Sequence, residues 1–223
     1  MNVQVVSDVV CPWCRIGKKN LRAAADRFTQ ETGEEVNITF LPFLLDPIKP
    51  EEEGESFRDR FVKRKGLSEE QMQQMFQRVT EVGASFGLNF DFGKVELAVN
   101  TVPAHELMEL APADKREALM DALMTAYFEQ GQNVGNVDVL LAIARTVLGE
   151  AETNAIEQPL RNHRERENVL GMIGQVQQSG ISGVPFTIVD GKFAVSGGQP
   201  PQAFYETLLK AQGVNQEIAA RQG

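Results

Sequence analysis

The only two thiols of this 223-residue chain stand three positions apart, in Cys11-Pro12-Trp13-Cys14. In the first turn of a helix that separation brings two sulfurs within bonding range, so the pair can open and close as a disulfide. Pro12 suits the placement, because at the first helical position its missing N–H has no intrahelical partner to lose. Free amides and the helix dipole at such an end favour an anion, which predicts Cys11 as the nucleophile and leaving group of a mixed disulfide. Cys14, one turn inside and less exposed, is then the resolving thiol that releases the partner. The chemistry this spacing can do is thiol–disulfide exchange. A redox-active Cys11–Cys14 disulfide stands in place of any tightly bound cofactor, with Pro12 and Trp13 tuning the potential beside the bound substrate.

Two blander readings compete for the same residues. A structural zinc site needs four ligands, and the other candidates, His105 and His163, show no ligand spacing between them, so no metal is expected. Two idle buried thiols would be ordinary core residues, but a proline between them at a helix start points away from that.

The elements that must position the pair can be read around it. Val3 and Val5 alternate with polar residues as a strand, Cys11 to about Gln30 has helical spacing, and Val36 to Leu41 is a second strand closed by Pro42. In that helix Ile16, Leu21, Ala24, Ala25 and Phe28 form the apolar stripe, which leaves Arg15, Lys18, Lys19, Arg22 and Arg27 for the wet side. From Ile48 to Gln178 the pattern turns helical. It opens on a solvated acidic run, Pro50-Glu51-Glu52-Glu53, followed by a capping box at Ser68 and Gln71. Further helices are expected over Pro103–Leu110, Asp114–Gln130, Asn136–Leu148 and roughly Leu160–Gln178. Strands return in Val184–Val189 and Lys192–Val195, a hairpin on the turn Asp190-Gly191, and Gln199-Pro200-Pro201 starts a closing helix. Strands at both ends and helices between them predict one sheet built from both chain ends. Within the hairpin, Pro185 follows a glycine turn, and on the residues alone it reads as a strand-opening trans proline.

Composition narrows the function classes. With 42% hydrophobic and 24% charged residues the chain can bury a large core, so disordered and fibrous classes drop out. A net charge of −9 makes a polyanion a poor partner, which excludes nucleic acid binding. No stretch approaches the length of a membrane span, and the start, Met1-Asn2-Val3-Gln4, is unlike a signal peptide. The expectation is a cytoplasmic protein without a membrane partner, although a chain separated from its leader would read the same.

Taken together, Cys11-Pro12-Trp13-Cys14 after a first strand, a helical insertion, and Gly183-Val184-Pro185-Phe186 before a hairpin resemble the DsbA family of thioredoxin-fold oxidoreductases. Ser7-Asp8, Asn100-Thr101 with Ala104-His105, and Ser196-Gly197-Gly198-Gln199-Pro200 extend the resemblance to its FrnE-type branch, over essentially the whole chain. The resemblance implies an α/β thioredoxin-like fold over residues 1–47 and 160–223, with an all-helical insertion over 48–159. It further implies that Pro185 is cis and faces the cysteines, and that the Val184 backbone pairs with a bound peptide or glutathione. Asn100, Thr101 and His105 line the cleft in that picture, although Asn100-Thr101 also reads as a helix cap and His105 as a structural histidine. Asp8 has two readings as well, as a proton acceptor for Cys14 or as a cap for the helix.

The implied activity is a protein-disulfide oxidoreductase acting on thiol or disulfide proteins, with glutathione as a co-substrate and the chain monomeric or a homodimer. A second resemblance is to kappa-class transferases and 2-hydroxychromene-2-carboxylate isomerases, glutathione-dependent relatives that usually carry serine where Cys11 stands. A serine can activate the thiol of glutathione but cannot form a disulfide, so Cys11 favours the dithiol reading. A non-redox peptide-holding chaperone is the third class.

Overall fold

Valines alternating with polar residues give β1 (Asn2–Ser7), whose side chains are buried on alternate positions until Val6, where both faces are covered. The computed structural model describes residues 1–49 and 52–222, with side chains of the last helix up to residue 213. After β1 come α1 (Pro12–Thr32) and β2 (Asn37–Pro42), the expected βαβ unit. Gly33, in the left-handed conformation at φ 74°, ends α1 by donating its amide to the Thr29 carbonyl. β3 (Phe186–Val189) and β4 (Phe193–Ser196) form the hairpin, with Asp190 and Gly191 both at positive φ and the Lys192 amide closing the turn on the Val189 carbonyl.

The four strands lie in the order β2-β1-β3-β4, with β1 parallel to β2 and the other pairs antiparallel. The register sets Val6 opposite Leu41 on one side and Phe186 on the other, so strands from both chain ends meet at β1. On one face of the sheet, Leu21, Ala24 and Phe28 of α1 pack with Phe204, Leu208 and Ala211 of the closing helix α9 (Pro201–Gln222), over Val3, Val5, Val189 and Val195. On the other, Val6, Phe43 and Val176 gather Val184 and Phe186. This is the α/β thioredoxin arrangement with a large helical insertion between β2 and β3.

The chain divides into two units, Met1–Phe43 with Val176–Gly223 and Leu44–Gln175. The second crossing falls later than residue 160, because Val169 and Ile173 pack with Val102 and Leu44 inside the helical unit, and only Val176 joins Val6 and Phe43. Within the helical unit the elements are α2 (Phe57–Lys65), α3 (Glu69–Ser85), α4 (Val102–Leu110), α5 (Arg116–Gln130), α6 (Val137–Leu148), α7 (Glu150–Arg161) and most of α8 (Arg166–Gln178). Ser68 and Gln71 make both bonds of the expected capping box. An aromatic core runs from the Phe76–Phe92 stack, ring centres 4.3 Å apart, to Phe90 and the edge of Phe128.

Several expectations are corrected. Arg15 and Lys18 are buried, not on the wet side, whereas Lys19 and Arg27 are exposed. The single helix expected over Leu160–Gln178 is the end of α7 and all of α8, separated by a turn in which His163 adopts a left-handed φ of 51°. Helix α7 hides a proline, Pro159, near its C-terminus, which masks a clear stripe of Thr153, Ile156 and Leu160. The α5 segment starts as a 3-10 turn over Ala113–Lys115. Of the acidic run, Pro50 and Glu51 lie outside the described residues. Glu52 is no idle solvated carboxylate, since it pairs with Arg60, a nearly buried guanidinium that also holds Asp46 and Glu55.

Candidate active site

Where β1 ends, the chain turns through Asp8 and enters α1, with the Cys11 amide donating to the Asp8 carbonyl at 3.1 Å. Cys11 is the N-cap residue itself, in an extended conformation, with Pro12 opening the helix. Its sulfur does what a serine or aspartate oxygen does at other helix starts, accepting the Cys14 amide at 3.3 Å. Its carbonyl takes the same amide at 3.0 Å and that of Arg15 at 3.3 Å. No acidic residue lies in the first turn of α1 itself.

Both thiols are free, and both are buried, Cys11 at 2% exposure and Cys14 at 0%. Their environments differ more than their exposures. Burial pushes the Cys14 thiol well above the ordinary cysteine range, and its hydrogen bond to the Cys11 sulfur and the charge there push it the same way. The Asp8 amide and the Ser7 hydroxyl pull it down and do not prevail. Cys14 is therefore held as a neutral thiol behind Cys11.

The Val184–Pro185 peptide bond is cis, and the Val184 carbonyl accepts the Cys11 thiol at 3.8 Å, so the loop before β3 lies against the Cys11 sulfur. Pro185 has no N–H to give the ladder, which is why β3 starts at Phe186, two residues later than the expected strand. Its carbonyl is instead held by the Gly197 amide at 2.9 Å, from the turn that leaves β4. Beside this loop a groove of about 550 Å³, bordered by Ser182, Val184 and Pro185, runs over Ile188 to Lys192.

A dithiol at a strand-to-helix junction thus lies against a cis-proline loop at the end of neighbouring strands of a four-stranded sheet. A model of the DSBA-like thioredoxin domain matches residues 2–209. The chain belongs to that family. Within it, a probable DsbA oxidoreductase from Streptomyces coelicolor superposes with a TM-score of 0.83 at 28% identity, over 96% of this chain and 90% of that one. A cytosolic disulfide reductase, DsbM, from Pseudomonas aeruginosa shares the fold at 19% identity and a TM-score of 0.61, over 94% of this chain and 99% of its own. A 2-hydroxychromene-2-carboxylate isomerase shares it at 14% identity and a TM-score of 0.63, with full coverage of both chains. The uncharacterised protein YwbO of Bacillus subtilis is 23% identical over 95% of this chain and 98% of its own length.

For this DSBA-like chain the structure brings Asp8, Cys11, Cys14, Val184 and Pro185 together in the sheet unit, with Pro12 and Trp13 half-buried in the first turn of α1. Asp8 is fully buried, its amide hydrogen-bonds the Cys14 thiol, and the side chain that caps α1 is Cys11. Asn100, Thr101 and His105 belong to the helical unit. There the cap of α4 comes from Asn100, whose side-chain oxygen accepts the Val102 amide at 3.1 Å, while the Thr101 hydroxyl is buried without a hydrogen bond. His105 is buried in the first turn of α4. Sequence reasoning missed the Ser196–Gln199 turn as part of the site: it holds Pro185 through Gly197, and the buried Asn20 of α1 donates to the Gln199 carbonyl at 2.8 Å. Asn20 on the apolar side of an amphipathic helix was the signal that could have found it.

Proposed function

We propose that the protein is a thiol–disulfide oxidoreductase of the FrnE-type branch, cycling Cys11 and Cys14 through mixed disulfides with protein thiols or glutathione in the cytoplasm. The observation that carries the reading is the asymmetry of the pair. Cys11 presents its sulfur at a helix N-cap with the Cys14 amide on it, while Cys14 waits behind as a neutral thiol hydrogen-bonded to the same sulfur.

In the reducing direction the Cys11 thiolate attacks a substrate disulfide, forming a Cys11–substrate S–S bond and breaking the substrate's own. The departing sulfur leaves as a thiolate and takes up a proton. Cys14 then gives up its proton and attacks the Cys11 sulfur, so a Cys11–Cys14 disulfide forms and the second substrate thiol departs. The substrate gains two electrons and the protein loses them; two molecules of glutathione, ending as one glutathione disulfide, restore the dithiol. In this reading the Val184 backbone, whose carbonyl lies 3.8 Å from the Cys11 sulfur, pairs with an extended substrate segment while exchange takes place. The glutathione poise of a cytoplasm keeps most dithiols reduced, so reduction or isomerisation is the favoured direction there.

Equilibration in glutathione buffers, with free thiols counted at each ratio, tests this. A reversible two-electron couple within the roughly −270 to −120 mV of such sites is expected. Cys14→Ser should accumulate a Cys11 mixed disulfide, and Cys11→Ser should form none. Thiols that never interconvert would end the reading, and turnover of a glutathione-dependent isomerisation by Cys14→Ser would replace it with the isomerase one.

A further inference from the structure

Two glycines stand where the cysteine helix meets the loops that face it, and neither needs its conformation to be glycine. At Gly198 a methyl group would lie 2.9 Å from the Trp13 carbonyl oxygen, 3.4 Å from Cε3 of the Trp13 ring and 3.5 Å from the Gly17 nitrogen. At Gly17 it would lie 3.1 Å from Cγ of Pro185 and 3.3 Å from the Gly198 Cα. Neither residue has a positive φ, so what favours glycine is room, insufficient at Gly198 and tight at Gly17. Gly197 next door differs: it sits at φ 83°, with its amide on the Pro185 carbonyl.

Trp13, Gly17 and Asn20 recur at helical spacing, so one stripe of α1 faces this turn. Trp13 and Gly17 are the carbonyl and amide that an α-helix joins four residues apart, and Gly198 packs on both. Asn20 fastens the turn from below through the Gln199 carbonyl. Pro185 is thereby held between Gly17 and the amide of Gly197, and its neighbour Val184 is the residue whose carbonyl lies 3.8 Å from the Cys11 sulfur. Glycine is a poor helix former, so its presence inside α1 is explained by the approach it permits.

We infer that Gly198 and Gly17 are positioning residues: by letting backbone touch backbone they set the distance between the Cys11 sulfur and the Val184–Pro185 segment and hold Trp13 beside the dithiol. The inference rests on the oxidoreductase reading for its kinetic consequence, but the brace itself has a readout that does not. A methyl at Gly198 must displace helix backbone or the turn, because its nearest neighbour is a carbonyl oxygen and not a pliable side chain. The separation that a substrate spans between Cys11 and Val184 then widens.

The test uses the reduced full-length protein, a synthetic peptide bearing a cystine bridge, and iodoacetamide, which alkylates Cys11 without needing Val184. Gly198→Ala should slow the reaction with the peptide about tenfold, well inside the ~100-fold that a 1 Å misplacement can cost, and leave the alkylation rate unchanged. Gly17→Ala should act in the same direction and more weakly; favoured by helix propensity, it carries the test if Gly198→Ala does not fold. Gly213→Ala, with open space around it, should change neither rate. Peptide rates equal to the parent's, or alkylation slowed in proportion, would overturn the inference. Trp13 is the only tryptophan, so its emission and quenching report the contact directly. If the parent protein exchanges with no disulfide, the oxidoreductase reading falls. Altered Trp13 emission in Gly198→Ala would still uphold the brace, and unchanged emission in both variants would remove it.

Discussion

Replacing Cys11 asks whether its sulfur caps α1. Alanine there removes the side-chain acceptor of the Cys14 amide, a loss of about 0.5–2 kcal/mol at an ordinary N-cap. The amide keeps the Cys11 carbonyl at 3.0 Å, which places the loss in the lower half of that range. The sulfur is buried at 2% exposure, and some 35–40 Å² of apolar surface taken from water is worth about 1 kcal/mol. Together Cys11→Ala should destabilise the reduced protein by about 1.5–2 kcal/mol, which is roughly 3–8 °C in a chain of this size. Serine loses the sulfur's burial but keeps the geometry: its hydroxyl can accept the Cys14 amide and donate to the Val184 carbonyl, as the thiol does. Cys11→Ser should therefore fall about midway between parent and Cys11→Ala when all three are melted by calorimetry under reducing conditions. Serine as destabilising as alanine, or alanine as stable as the parent, would show that the sulfur caps nothing.

Other outcomes follow from the same contacts. The Cys14 thiol is raised in the folded state, so its stabilising effect is complete below the unfolded cysteine value of about 8.5 and is lost as pH climbs towards the folded one. The melting temperature of the reduced protein should decline above that pH, less steeply in Cys14→Ser. Glu106 of α4 is fully buried, with one oxygen 3.0 Å from Nδ1 of His163 and the other without a hydrogen bond, and burial pushes its carboxyl up. The sign is again stability lost with rising pH, so Glu106→Gln should melt higher than the parent at pH 7 and show no such gain at pH 4. Arg60→Ala leaves Asp46, Glu52 and Glu55 without their shared cation. Those carboxylates are partly exposed and screened, so a loss of ~1–2 kcal/mol is expected by chemical denaturation, below the ~3–5 kcal/mol of a fully buried pair. A loss that 1 M salt does not reduce in the parent-to-variant difference would argue against an electrostatic origin.

Much of the site was legible because it is local. The cysteine spacing, Pro12 at the first helical position and the Asp190-Gly191 turn each act within a few residues, and in the structure Cys11 and Pro12 open α1 and Asp190 and Gly191 both have positive φ in the turn before β4. The capping box at Ser68 is of the same kind. Asn100-Thr101 was legible only as a pair; which of the two caps α4 depends on the backbone angles at the start of the helix, and the answer is Asn100. Helix α7 escaped because Pro159 reads as a breaker, yet near the end of a helix it forfeits one hydrogen bond and the buried stripe outweighs that.

By itself the sequence determined the thiol pair at the start of a helix, the sheet assembled from both chain ends and the insertion between them, since periodicity and turn chemistry are properties of short segments. The tertiary structure alone decided what surrounds those groups. Arg15 and Lys18, charged and apt for solvent, are buried because of what folds over α1. Cys14 is held neutral by an enclosure that no neighbouring residue announces. The reason for glycine at position 17 lies in Pro185 and Gly198, far along the chain, because the limit there is the distance between two backbones and that distance exists only once the sheet has brought them together.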